Sequence, residues 1–176
     1  MADTSQRTGD YLGMELTLDP FDIENVPFFD YLSQGELRLQ RNPENGLMRY
    51  PPTSRCPFSG KTDHEWTKVE PVGTVYSYTE VHHAIQPAFQ AHTPYMVLMV
   101  ELDVQRGQPG EHDGIRMMGN LVTPDGEMAP PDLVARTGIG SRMRMVFKPI
   151  GTGMAMPCWT LDETVDQPSP WRYPQE

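Results

Sequence analysis

The sequence predicts a mainly β protein: a closed, five-stranded Greek-key barrel preceded by a short helix and a small hairpin module. Three observations carry that prediction. Five runs rich in β-branched, aromatic or alternating residues follow one another between Thr74 and Leu161. A helical turn at residues 131–135 stands before the fourth of them, an arrangement that suits a small Greek-key barrel. The 176 residues include 18 prolines and 15 glycines and are only 38% hydrophobic, which favours a loop-rich β protein over a helical bundle.

Taken in order, residues 1–19 read as a polar, flexible tail. Residues 20–36 hold a helix over 22–34, with Asn25 as N-cap, Pro27 in the first turn and Gly35 just past the end. Phe28, Phe29 and Leu32 make its apolar face. Residues 37–69 form the hairpin module, in which 36–40 pairs with 47–50. Residues 70–165 form the barrel, with strands at 74–82, 95–102, 115–122, 142–148 and 154–161, the third ending at the Pro124-Asp125-Gly126 turn. Strand periodicity assigns Val75, Val97, Leu98, Val100, Leu121, Met143, Met145 and Phe147 to the core. Residues 166–176, with Pro168, Pro170 and Pro174, read as an extended tail.

Residues 41–60 have the outline of a zinc ribbon. Gly46 and Gly60, the Tyr50-Pro51-Pro52 corner and Cys56-Pro57 are all in place. Structural zinc takes four ligands, mostly thiolate and imidazole. The four ligand positions here hold Asn42, Asn45, Cys56 and Ser59, and the amide and hydroxyl groups are poor replacements for thiolate. His64 offers a second donor, which is still too few. The expectation is a degenerate ribbon with no metal, its shape kept by Asn-Gly and Ser-Gly turns.

Composition excludes several function classes. Twenty-four acids against 14 Lys and Arg give a net charge of −10, the opposite of the balance that phosphate contacts demand, so no nucleic acid is expected. The longest apolar run, residues 95–100, is too short to cross a bilayer. The first ten residues lack an apolar stretch of the signal-peptide kind. Two cysteines, Cys56 and Cys158, make no disulfide framework and suit a reducing cytoplasm.

No catalytic set stands out. Cys158 lies in an apolar strand and reads as a packed thiol, and phosphate-loop and nucleophile-elbow motifs are absent. His82, His83, Phe89 and Tyr95 flank or lie in a loop at the mouth of the barrel and are candidate contacts to a partner or a bound ligand, as are Phe28, Phe29 and Leu32. Adjacent histidines on a strand face opposite ways and cannot easily share a metal. Arg142, Arg144 and Lys148, extended by Arg116, form a local cationic stripe that suits phosphate groups, against the ordinary reading of a solvated strand face.

These elements together resemble the family that joins a rubredoxin-like zinc ribbon to an acyl-CoA-associated OB-fold. The resemblance runs from Phe28 to Leu161. It rests on Phe29-x-x-Leu32-x-x-Gly35-x-Leu37, Leu39-Gln40-Arg41, Tyr50-Pro51-Pro52, Cys56-Pro57, the run from Gly73 through Thr79, Val81-His82, Pro87-Ala88-Phe89, Pro94-Tyr95, Glu101-Leu102-Asp103, Gly119-Asn120-Leu121-Val122 and Gly140-x-x-Met143-x-Met145-x-Phe147. It implies a five-stranded OB-fold and a non-catalytic accessory subunit of a thiolase-like enzyme. Such a subunit works in a hetero-oligomer, helping to position acyl-CoA, the shared substrate, for carbon–carbon bond formation or cleavage. The chain departs from the family at the metal site, which leaves no cofactor of its own. The competing readings are an OB module for single-stranded nucleic acid, which the acidic balance opposes, and a stand-alone acyl-CoA enzyme, which the missing catalytic set opposes.

Overall fold

The computed structural model describes residues 6–174, and the chain divides into two compact units. The first unit is built from residues up to 70 together with 104–115 and 149–156. It begins with a hairpin, β1 (Arg7–Tyr11) and β2 (Met14–Leu18), paired from Arg7↔Leu18 to Tyr11↔Met14. The flexible tail expected over 1–19 is therefore corrected for residues 7–18; residues 1–5 lie outside the described residues, as do 175 and 176. The period-2 alternation of these two strands sits in so polar a segment that composition hides it. The connection is two residues long, Leu12 and Gly13 with φ of 57° and 82°, as a twisted hairpin requires.

Helix α1 (Asn25–Ser33) follows. Asn25 is its first residue and not its cap: Glu24 stands at the cap without a side-chain cap bond, and the Asn25 backbone N–H donates instead to Asp22 Oδ1 at 2.9 Å. Gly35, at φ 73°, closes the far end, where its N–H donates to Leu32 O. Phe28 and Leu32 face inward against β3 (Leu37–Arg41), the central strand of a three-stranded sheet in the order β4 (Met48–Arg49), β3, β5 (Glu65–Val69). Leu37 and Leu39 are the buried face of β3. The expected pairing is present as Gln40↔Arg49, and β5, not anticipated from sequence, pairs with β3 from Leu37↔Val69 to Arg41↔Glu65.

The second unit comprises residues 71–103, 116–148 and 157 onward. Its strands belong to a five-stranded antiparallel sheet of β6 (Val72–Val81), β7 (Tyr95–Leu102), β8 (Arg116–Asn120), β9 (Arg142–Gly151) and β10 (Met154–Leu161), in the order β10-β9-β6-β7-β8. Short helices α2 (Pro87–Gln90) and α3 (Pro131–Arg136) occupy two of the connections. The expected closed barrel is corrected to an open sheet: Leu121, just past β8, makes an isolated parallel bridge to Trp159 in β10, but no ladder continues from it. A bulge in β6 between Val75 and Ser77 turns the strand.

Core positions follow the pleat. Val75, Leu98, Val100, Leu121, Met143 and Met145 are buried as expected, joined by Met96, Met117 and Trp159. Val97 and Phe147 are corrected to half-buried. β7 alternates strictly, so Met96, Leu98, Val100 and Leu102 take the inside and Val97 the outside. In β9 the alternation breaks after Met145, and Phe147 leaves the core with it. No helix of the described residues is long and apolar enough to cross a membrane.

Candidate functional site

The first unit contains two facing turns where the resemblance puts four metal ligands. In the first, Gly46 N–H donates to Asn42 O and Asn42 N–H to Leu47 O; in the second, Gly60 N–H donates to Cys56 O and Cys56 N–H to Lys61 O. Gly46 and Gly60 both take positive φ, 75° and 71°, which is why glycine stands there. Asn42 is 1% exposed and links the turns: its Nδ2 donates to Cys56 Sγ at 3.2 Å and to Ser59 Oγ at 2.7 Å. Its Oδ1 accepts the Glu44 N–H at 2.8 Å, and Asn45 Oδ1 accepts the Leu47 N–H at 3.0 Å.

This donor set does not fit zinc. The Asn42 amide N–H donates to the Cys56 sulfur at 3.2 Å, whereas a metal needs lone pairs from every side. Among the described residues no group of three or more His, Cys, Asp or Glu is placed to hold a metal ion. Burial pushes the Cys56 thiol up, but hydrogen bonds with Asn42, Ser59 and the backbone at Phe58 and Ser59 outweigh it and bring its pKa down to about 7.

His64 belongs to a different network. Both its ring nitrogens engage other groups: Nε2 lies 3.3 Å from Gln40 Nε2, and Nδ1 lies 3.0 Å from Thr62 O and 3.4 Å from Arg49 Nη2. Arg49, 4% exposed, donates through Nε to Gln40 Oε1 at 2.9 Å and through Nη2 to Thr53 O at 3.0 Å, while its Nη1 is buried without a partner. Gln105 then holds β4 as a strand would, its carboxamide accepting from Met48 N–H and donating to Met48 O. Gln40 lies in one of the motifs behind the resemblance, but nothing in the spacing of Gln40, Arg49 and Gln105 shows that they meet.

The cleft beside this network, lined by Arg49, Tyr50, Phe58, Gln105 and Ile115, encloses about 120 Å³. Sites that enclose small molecules measure roughly 300–1,000 Å³. In α1, Phe28 and Leu32 are 4% and 0% exposed, and Phe28 packs edge-on to Phe29 at 5.6 Å and against Tyr50 at 5.8 Å. Their expected role as a contact face is corrected: these side chains fill the unit's own core, and only half-buried Phe29 offers surface.

In the second unit the expected cationic stripe is ion-paired. Arg116 meets Glu101 at 3.0 Å and stacks over the Tyr76 ring at 3.8 Å. Arg142 makes a double contact with Asp103, and Arg144 meets Asp162 at 3.2 Å. Lys148 donates to Gly126 O at 2.5 Å and faces Glu127. Each cation is thus largely answered by an acid, and the face offers CoA phosphates much less than a count of bases promises.

His82 and His83 are exposed just past β6, with His82 Nε2 3.4 Å from Glu80. Phe89 and Tyr95 stack at 4.9 Å, so the loop between β6 and β7 is a built structure. Ile85, in the same loop, is 90% exposed. The C-terminal segment adds Trp171 and Tyr173, both exposed and in contact with each other. Arg172 between them is tied to Glu80, Val134 O and Thr137 O. Sequence reasoning missed Ile85, Trp171 and Tyr173, whose exposure is a property of the fold. Neither cysteine is an exposed nucleophile, since Cys56 and Cys158 are both buried.

Comparison with known proteins agrees with this architecture. Residues 66–148 match the family described as ChsH2, C-terminal OB-fold domain. A protein of Thermomonospora curvata named probable enoyl-CoA hydratase alpha subunit is 38% identical over 101 residues, which span 56% of this chain and 28% of that relative. A solved structure titled Ltp2-ChsH2(DUF35) aldolase superposes with a TM-score of 0.61 at 28% identity, over 80% of this chain and 96% of the other. A DUF35 protein of unknown function from Sulfolobus solfataricus covers 77% of this chain at 13% identity with a TM-score of 0.47. The match over residues 66–148 agrees with the OB-fold expected from the sequence, and the resemblance to the acyl-CoA-associated OB-fold family is consistent with it.

Proposed function

We propose that this protein is a non-catalytic accessory subunit that binds a thiolase-like enzyme in the cytoplasm and helps position acyl-CoA for carbon–carbon bond formation or cleavage. The observation that carries the reading is the match, over 96% of its length, to the chain from the Ltp2-ChsH2(DUF35) aldolase, whose name joins two components. The hydratase name of the other relative also belongs to acyl-CoA chemistry and to a subunit. The surface supports it: Ile85, Trp171 and Tyr173 are large, apolar and exposed, while both thiols are buried. Thiolase-like enzymes bring their own Cys and His chemistry. A subunit that shapes and shields the site, holding acyl-CoA in a reactive geometry, contributes several kcal/mol without a reacting group. His82, His83, Phe89 and Tyr95 mark the loop we assign to that contact.

The test is co-expression with a thiolase-like protein from the same genome, followed by size-exclusion chromatography and an acyl-CoA cleavage assay. A stable complex with turnover, and no turnover from the isolated chain, is the expected result. Turnover by the isolated chain would replace this reading with a stand-alone enzyme. Tight, salt-dependent binding to single-stranded nucleic acid without any such complex would replace it with a nucleic-acid module.

A further inference from the structure

We propose that residues 19–24 form a docking hook whose Phe21 and Ile23 side chains seat in an apolar cleft rimmed by Lys and Arg on the enzyme subunit. The proposal rests on the accessory-subunit reading and names the surface that engages the partner. Phe21 is 79% exposed and Ile23 75%, and the two are separated by a single residue. Isolated apolar side chains on a surface are ordinary, and what distinguishes this pair is that one hydrogen-bonded turn holds both.

The turn is held at both ends. Asp19 Oδ1 accepts the Phe21 N–H at 2.9 Å, and Asp19 O accepts the Asp22 N–H at 3.0 Å. Ile23 N–H donates to Phe21 O, and Asp22 takes both the backbone N–H and the side-chain amide of Asn25, at 2.9 and 2.8 Å. Helix α1 begins immediately after, so the hook stands on a rigid element. A segment already in its bound shape loses little conformational freedom on docking.

Charge states the partner's chemistry. From Thr8 to Gly35 there are six acids, Asp10, Glu15, Asp19, Asp22, Glu24 and Asp30, and no Lys, Arg or His. Arg7, the base just before this stretch, is paired with Asp30. Asp19, Asp22 and Glu24 stand beside the two apolar side chains and have no ion-pair partner among the described residues, so the net negative charge there steers the hook toward a basic rim and away from acidic surfaces. An uncharged apolar cleft would leave these carboxylates to be desolvated without return.

The experiment uses the full chain and the thiolase-like subunit of the same genome. Affinity is measured by calorimetry, and association rates at low and high salt by surface binding. Phe21→Ser with Ile23→Ser is expected to weaken the complex by about 30-fold or more, as loss of interface anchors does. Both residues are exposed, so the far-UV circular dichroism and thermal midpoint should match the wild type. Glu24→Lys is expected to slow association several-fold at low salt, with the difference shrinking at high salt. Wild-type affinity in the double variant, with the complex intact, would overturn the hook and leave the accessory-subunit reading standing. Absence of any complex with wild-type protein would overturn both. Self-association of the chain alone, abolished by the double variant, would make a second copy the occupant and overturn the assignment to the enzyme.

Discussion

Asn42 Nδ2 lies 3.2 Å from Cys56 Sγ and 2.7 Å from Ser59 Oγ, so one side-chain amide spans the two turns that a metal ion would otherwise join. Hydrogen bonds hold these turns with a net free energy of about 1 kcal/mol each, against binding energies on the order of 10 kcal/mol for structural zinc. The protein as purified, without added metal, should contain no stoichiometric zinc by elemental analysis. Asn42→Ala should lower stability by roughly 1–3 kcal/mol in urea unfolding, because it leaves buried polar groups unsatisfied. About one tightly held zinc per chain would refute the amide linkage.

The same contact sets the acidity of Cys56. Its folded pKa, about 7, lies below the ordinary 9.0. A group depressed on folding contributes stability that is fully present above the unfolded pKa and lost as pH falls through the folded one. Stability should therefore rise between about pH 7 and 9, by at most roughly 2–3 kcal/mol for 2 units of difference. Thiolate absorbance near 240 nm should titrate with a midpoint close to 7 in the wild type. In Asn42→Ala the midpoint should move up, and in Cys56→Ser the transition should vanish, leaving only what Cys158 contributes.

Asp162 is 4% exposed and is held by Thr164, whose hydroxyl and N–H both donate to Oδ1, and by Arg144. The Thr164 hydroxyl bond is the main cause that keeps its carboxyl below the usual 3.8, working against burial and helped by the Thr164 amide and Arg144. Its contribution is complete above about pH 4 and is lost as the pH falls through the folded value. Asp162→Asn should flatten the acid limb of the stability curve below about pH 4. Asp162→Ala should cost roughly 1.5–3 kcal/mol at neutral pH by denaturant titration. An unchanged acid limb in Asp162→Asn would show that the carboxylate is not the titrating group.

Trp159 is 0% exposed, while Phe147 is half-buried. Trp159→Ala should cost about 3–5 kcal/mol, the range for truncating a buried aromatic, and Phe147→Ala clearly less. Equal costs in thermal and urea unfolding would mean that Phe147 is a core residue after all. Gly119→Ala tests the same packing from the other side. A Cβ there would stand 2.6 Å from Pro157 O and 2.9 Å from Trp159 Cδ1, so the backbone must shift and stability should fall.

Much of this protein was determined by its own sequence. The strand patterns at Tyr95–Leu102 and Met154–Leu161, the helix around Phe28 and Leu32, and the turns at Gly46 and Gly60 are local consequences of period, β-propensity and positive φ. The motif order pointed to the OB-fold that residues 66–148 match. The tertiary structure decided what depends on partners distant in the chain. It left Val97 and Phe147 half-buried, because a face is set by register and twist and not by apolarity. It buried Phe28 and Leu32 against β3, matched Arg116, Arg142, Arg144 and Lys148 with acids from other elements, and left Phe21, Ile23 and Ile85 exposed. Burial and pairing are sums over neighbours that folding assembles, and such sums are not written in any single stretch of chain.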